Sequence, residues 1–260
     1  MGLDTTSTVL FERRGSVALY TLNRPQALNA LSDELIAELI ARLDAAEKDD
    51  AVRVHVLTGG PKVFAAGADI KGMAGSTAAE MRSRDPIGSW DRFGRLAKPL
   101  IAAVNGFALG GACELAMNAD IILAAEDAVF GQPEILIGVM PAGGATQRLP
   151  RLVGRTRAME LLLTGRRFTA RQALDWGLVN AVVPPGQVLE EALRLAEEIA
   201  AKPAVAVRAI KAAVREGLDL PLPDGLKLER SMFYDLFDTA DQKEGMAAFL
   251  EKRRPSFTGK

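Results

Sequence analysis

From Val17 to Asn23 the chain alternates apolar and polar side chains (VALYTLN), the period-two pattern of a strand, and Asn23-Arg24-Pro25 breaks it. The period then changes. Leu31, Leu35, Leu39 and Leu43 recur through LSDELIAELIARLDAAEKD, which predicts a helix with one apolar face, and Ser32 is placed to cap it. A second strand is predicted in VRVHVLTGG (52–60). PLIAAVNG (99–106) and DIILAAEDAVFG (120–131) read as buried strands, each stopping at a glycine. This rhythm of strand, turn and helix predicts an α/β protein whose site lies on the loops after strands. The short second strands AVFG and LVNAVV favour small β-β-α units over a simple doubly wound sheet.

Pro184-Pro185-Gly186 marks a change of pattern. Beyond it the apolar spacing is helical throughout, over 187–201, 203–216, about 222–236 and 239–252. The chain therefore divides into a core of residues 1–186 and a helical region of residues 187–260, and a terminal block of this kind is expected to pack on the core or on another subunit.

Composition narrows the function classes. The 260 residues are 48% hydrophobic and 25% charged, with a net charge of −1, so no electrostatic footprint for nucleic acid or an anionic membrane is present. The basic end, EKRRPSFTGK, reads as a solvated face. A single cysteine, Cys113, permits no intramolecular disulfide and fits a reducing compartment. The opening stretch MGLDTTSTVLFERRGS contains Asp4 and Glu12 and no apolar core, so neither a secretory signal nor a transit peptide is expected. No apolar run reaches the ~18–20 residues of a membrane span, and a soluble cytoplasmic protein is expected.

Candidate chemistry begins with what is missing. His55 is the only histidine and lies inside a strand, which removes Ser-His-Asp and Cys-His arrangements and makes His55 structural. Neither a G-x-S-x-G elbow nor a glycine-rich phosphate loop occurs. One histidine and one cysteine cannot build a zinc site, and Cys113 reads as a small buried residue. Three loops remain. FAAGADIKGM (64–73) is either an ordinary strand-to-helix turn or a run of backbone N–H groups able to hold an oxyanion. In NGFALGGACELAM (105–117), Glu114 sits in the first turn of a helix, as a carboxylate favoured by the helix dipole or as a catalytic group. In FGQPEILIGVMPAGGATQRL (130–149), Glu134 is a second carboxylate in an apolar setting, where removal from water raises a carboxyl pKa towards neutrality. The chemistry that these residues suggest is that of a histidine-free enzyme using carboxylates and main-chain donors.

These loops, with TLNRPQALNAL before them and KEGMAAFLEKR after, resemble the enoyl-CoA hydratase/isomerase, or crotonase, family over nearly the whole chain. The resemblance implies a right-handed spiral of ββα units followed by a C-terminal helical trimerisation region, assembled as a homotrimer or as a hexamer, a dimer of trimers. It implies that the amides of Ala68 and Gly111 form an oxyanion hole for the thioester of an acyl-CoA. Ala66, Asp69, Ile70 and Lys71 then lie along the segment that lines the CoA channel, and Phe233 and Lys252 approach the CoA nucleotide, in part from a neighbouring subunit. No cofactor is implied beyond the CoA carried by the substrate.

Because Glu114 and Glu134 are both present, the resemblance favours syn addition of water to a trans-2-enoyl-CoA, giving a 3-hydroxyacyl-CoA in fatty-acid, aromatic or amino-acid catabolism. Glu134 is then the acid at the α-carbon, and Glu114 helps to activate the water. Isomerisation of a 3-enoyl-CoA on the same scaffold is the alternative, and a noncatalytic RNA-binding relative would need a basic surface that the net charge argues against. Two departures stand out. Ala142 and Ala145 replace glycines of the family's PGAGGTQR, which leaves their amides intact unless either position needs a positive φ. The segment 73–98 matches no motif, and its Trp90 and Phe93 are read as ordinary packing or as a narrowing of an acyl tunnel.

Overall fold

The computed structural model describes residues 7–260; Met1–Thr6, and with them Asp4 of the opening stretch, lie outside the described residues. Strands β1 (Val9–Arg14) and β2 (Val17–Leu22) form an antiparallel hairpin. Strand β3 (Val54–Thr58), β4 (Leu100–Val104), β6 (Ile121–Ala125) and β9 (Ala181–Val183) extend it in parallel, in the order β1-β2-β3-β4-β6-β9. A second sheet has the order β5-β7-β8, from β5 (Phe107–Leu109), β7 (Val129–Gly131) and β8 (Arg167–Thr169).

The chain alternates between the sheets. It passes from β4 in the first to β5 in the second, returns through helix α3 (Gly111–Met117) to β6, and crosses again to β7. This is a β-β-α spiral, and it explains why 120–131 is two strands rather than one. Glu126 and Asp127 cannot sit in a buried strand, and the Ala128 amide turns back to the Ala125 carbonyl at 2.9 Å.

Strand alternation sorts the large sheet's side chains into two cores. Val17, Leu19, Val56 and Ile101 face helix α7 (Val188–Ala200), which lays Val188, Ala192 and Ala196 on that side. Ala18, Tyr20, Leu57 and Ala102 face the other way, against Leu35, Leu39 and Leu43 of α1 (Asp33–Glu47). With both faces covered, β3 and β4 are buried at every position, as parallel strands with helices on each side require. Ser32 caps α1 as expected, accepting from the Leu35 amide at 3.3 Å.

Helix α2 (Ala78–Arg84) and a 3-10 segment (Gly88–Arg95) occupy the stretch without motifs. Helices α4 (Ala145–Val153), α5 (Arg155–Thr164) and α6 (Ala170–Asp175) fill the second half of the core. Helices α8 (Ala204–Gly217), α9 (Leu222–Asp235) and α10 (Ala240–Leu250) follow α7, close to the expected ranges. Neither α8 nor α9 has a buried residue. Polar ties hold α8 to the body: Lys211 Nζ donates to the Lys98 carbonyl at 2.9 Å and to Asp120 at 2.7 Å. Among the described residues no helix is long and apolar enough to cross a membrane.

His55 is fully buried and structural. Its Nδ1 lies 3.1 Å from the Tyr20 hydroxyl and its Nε2 2.8 Å from Glu47 Oε1. Burial works to raise the Glu47 pKa, but hydrogen bonds from His55 and from the Ala97 and Lys98 amides prevail and bring it down to about 2. A carboxyl whose folded pKa is depressed stabilises the fold above its ordinary value of 4.5, and that contribution disappears as pH falls through about 2. We expect wild type to exceed Glu47→Gln by about 2 kcal/mol at neutral pH, allowing for residual solvent contact, and the gap to close on acidification. Urea denaturation of both proteins across this range measures it, and a gap independent of pH would refute the assignment.

Candidate active site

The first free amide is made by a short parallel pairing between the segment after β2 and the loop after β3. The Ala66 amide donates to the Leu28 carbonyl (3.0 Å), the Leu31 amide to Gly67 (2.8 Å) and the Asp69 amide to Leu31 (3.0 Å). In this register Leu31 pairs with Ala68 through the residues on either side, so the Ala68 N–H points the other way. It donates to no acceptor among the described residues. Asn29, almost fully buried, fixes the base of the loop: its Nδ2 donates to the Gly59 carbonyl at 2.8 Å and to Phe64 at 3.1 Å.

The second free amide belongs to Gly111. Strand β5 stops at Leu109, Gly110 turns with φ +54°, and Gly111 is the first residue of α3, where N–H groups have no intrahelical partner. Its amide also has no acceptor among the described residues. A Cβ on Gly111 would lie 3.7 Å from the Ala68 nitrogen, so the two donors flank one point in space.

Two carboxylates stand beside them. Glu114 is only 3% exposed. Its carboxylate does not fold back on its own helix but crosses to the start of α4, where the Ala145 amide donates to Oε1 at 2.9 Å and the Gly143 and Gly144 amides also donate. Burial raises the Glu114 pKa, and these three amides oppose the rise. Both readings of Glu114 thus meet in one residue: a helix N-terminus does favour it, but the helix is α4. Neither Ala142 nor Ala145 adopts a positive φ, so alanine is accommodated at both without strain.

Glu134 lies on the 3-10 turn Pro133–Ile137, half-buried, with Oε1 only 2.7 Å from where a Cβ on Gly110 would be. Burial is the main cause that lifts its pKa to about 7; its own amide pulls the other way and the charge of Glu114 adds to the rise. The two groups are therefore electrostatically coupled across the Gly110-Gly111 turn.

The adjoining cavity, about 340 Å³, is lined by Leu31, Ile36, Ala68, Met73, Ile87 and Trp90, with Asp69 and Lys71 at its polar side. Trp90 stands between the glycine loops: its indole lies 3.4 Å from a Cβ built on Gly111 and 3.0 Å from one on Gly143. It is a wall of the site as well as packing. Phe93 is core, edge-on to Trp90 with ring centroids 6.0 Å apart.

Other expected residues divide. Asp69 is engaged by both Nη atoms of Arg24 at 3.1 Å, a pairing that no local pattern announced. Lys71 is exposed and lines the cavity, Ile70 is exposed and does not, and the Ala66 amide is already bonded to the Leu28 carbonyl. Phe233, on α9, packs against Tyr234 and Phe237, and Lys252 follows α10; within one chain neither lines the cavity. Among the described residues no group of three or more His, Cys, Asp and Glu is placed to hold a metal ion.

Residues 12–260 match the family model described as enoyl-CoA hydratase/isomerase. The chain is 53% identical over 250 residues to a probable enoyl-CoA hydratase of Rhizobium meliloti, covering 96% of this chain and 97% of that one. It is 49% identical to the mitochondrial enoyl-CoA hydratase of Pongo abelii, covering 96% and 87%. Among solved structures, an enoyl-CoA hydratase subunit I from Geobacillus kaustophilus superposes with a TM-score of 0.95 at 48% identity, covering 97% and 98%. Fold, site loops and sequence agree, and the chain belongs to the enoyl-CoA hydratase/isomerase family.

Proposed function

We propose that this protein is an enoyl-CoA hydratase that adds water syn across the double bond of a trans-2-enoyl-CoA to give a 3-hydroxyacyl-CoA. The observation that carries this reading is the pair of desolvated carboxylates, Glu114 and Glu134, beside two main-chain amides that find no acceptor among the described residues. The thioester oxygen sits between the Ala68 and Gly111 amides, which stabilise the enolate-like charge that grows there as the β-carbon is attacked. One such donor is typically worth ~3 kcal/mol in the transition state.

The two carboxyls differ in what surrounds them, and this difference assigns their roles. Three amides favour the ionised form of Glu114, which therefore accepts a proton from the water and aims its oxygen at the β-carbon. Glu134 retains its proton to about pH 7 and gives it to the α-carbon. The proton lost by the water replaces the one delivered, so the total on the pair is unchanged, and a proton passing from Glu114 back to Glu134 resets the site.

The CoA is carried by the substrate, and the segment from Asp69 to Lys71 lines its channel; no other cofactor takes part. The same reading includes a homotrimer or a dimer of trimers. Ile210, Val214, Leu218 and Leu222 on the unburied α8 and α9 are exposed, an apolar surface suited to a second copy. In that assembly Phe233 and Lys252 approach a CoA nucleotide across the subunit boundary. A cytoplasmic location is part of the proposal, supported by the single, fully buried Cys113.

Steady-state hydration of crotonyl-CoA tests the roles, with a 3-enoyl-CoA assayed in parallel. Glu114→Gln and Glu134→Gln are each expected to lose at least ~10²-fold in kcat. Strong isomerisation with negligible hydration would sink the proposal. For wild type, kcat/KM is expected to fall as pH rises through about 7, where Glu134 loses its proton.

A steric prediction is independent of titration. Gly143 has no positive φ, yet a Cβ there would lie 2.8 Å from Glu114 Oε2 and 3.0 Å from Trp90. Gly143→Ala is expected to keep the fold and to lose at least ~10-fold in kcat, because small displacements of a catalytic group are costly. Wild-type rates in that variant would place the water elsewhere.

A further inference from the structure

Between the two catalytic carboxylates lies a side chain that the proposed mechanism does not use. Gln132 follows the end of β7 and is completely buried. A buried amide needs partners at both ends. With Nε2 turned towards Glu134, the orientation that satisfies both ends, the amide is 3.2 Å from Oε1 and 3.3 Å from Oε2. Carboxylate oxygens only accept, so the amide nitrogen, not its oxygen, is the end that can meet both of them.

We propose that Gln132 is a positioning residue: its buried amide, turned towards Glu134, holds both oxygens of that carboxylate. This rests on the acid role given to Glu134 in the proposed hydration. Gly110 limits Glu134 on one side, where its Oε1 comes within 2.7 Å of a Cβ position, and Gln132 holds it on another.

The surrounding charges leave this role open to a single amide. Glu114, from α3, is the charged group acting on Glu134. On α5, which packs against the 133–137 turn, Arg157 lies over the Trp176 ring and Glu160 pairs with Arg166, while Arg155 is exposed. Arg167 of β8 is directed over Phe107. Among the described residues no cation is placed to offset the burial of Glu134 and the repulsion from Glu114, so the Gln132 amide joins the backbone amide of Glu134 in opposing them.

The test reads Glu134 directly and through turnover. Carbon-13 NMR of glutamate-labelled protein, with the Glu134 signal assigned by its loss in Glu134→Gln, follows the carboxyl titration in wild type and in Gln132→Met. The expected result is an upward shift of about one pH unit in Gln132→Met, with the alkaline limb of kcat/KM for crotonyl-CoA moving up with it and kcat falling ~10-fold. An active variant whose titration and limb both stay at the wild-type position overturns the proposal, whatever its kcat, because a purely structural side chain would lower activity without moving either. If the titration shifts but neither protein hydrates any enoyl-CoA, the positioning role stands and the hydratase reading fails. Should Gln132→Met not fold, Gln132→Ala removes the same amide; an upward shift supports the proposal, and an unmoved titration overturns it.

Discussion

The site depends on one short pairing. Residues 28–31 act as a template for residues 66–69, and the register of three main-chain bonds leaves the Ala68 amide facing the cavity instead of a neighbouring strand. Moving the register by one residue would reverse which amides are satisfied and which are free. Asn29 sets that register: its side chain reaches the carbonyls of Gly59 and Phe64, while its Oδ1 accepts from the Arg24 amide at 2.9 Å. Arg24 in turn holds Asp69 at the far end of the loop. A motif that looks like a loop after a strand is thus the jig that leaves the Ala68 amide free.

The second constraint is space around charge. Burying a carboxylate in a glycine- and alanine-rich core costs several kcal/mol unless donors meet it, and main-chain amides reach it only if no side chain intervenes. Gly110 makes room for Glu134, and Gly143 makes room for Glu114 and Trp90 together. The carboxylates are met unequally. Glu114 receives the first amides of α4, where donors and dipole act together, whereas Glu134 has its own amide and a neighbouring side chain. The difference in how the two carboxyls are held is therefore made largely by backbone placement.

What the sequence disclosed follows the range of the forces involved. Local periodicity revealed α1 with its Ser32 cap and the helices from α7 to α10, since each is an apolar face repeated within a few turns. The three-residue strands β5, β7 and β8 carry too few positions for a period; they exist because partners far along the chain pair with them. That is why 120–131 read as one strand. Glu114, Glu134 and the two glycine loops were legible as chemistry, because a carboxylate among small residues is conspicuous. Their convergence was not, and it came from resemblance. Trp90 and Phe93 recur three apart on one face of their 3-10 segment, which signals packing but not that Trp90 also borders the glycine loops. Arg24 and Asp69 lie 45 residues apart and look like ordinary surface charges until the loop closes.

His55 shows why this separation of roles holds. A lone histidine in an α/β enzyme invites a catalytic reading, but its ring is sealed between Tyr20 and Glu47 under β3, among the core side chains. Burial pulls its pKa down, and the bond to Glu47 works against that pull. The group best suited to exchange protons near neutrality is thereby confined to a structural network. Glu134 reaches that range instead, through burial with the charge of Glu114 adding to the rise. Trp90 and Leu31 stand close to Gly111 and line the adjoining cavity. The packing that closes the glycine loops around Glu134 therefore sets its proton affinity, so a change that lets water reach this carboxyl brings its pKa back towards the ordinary value.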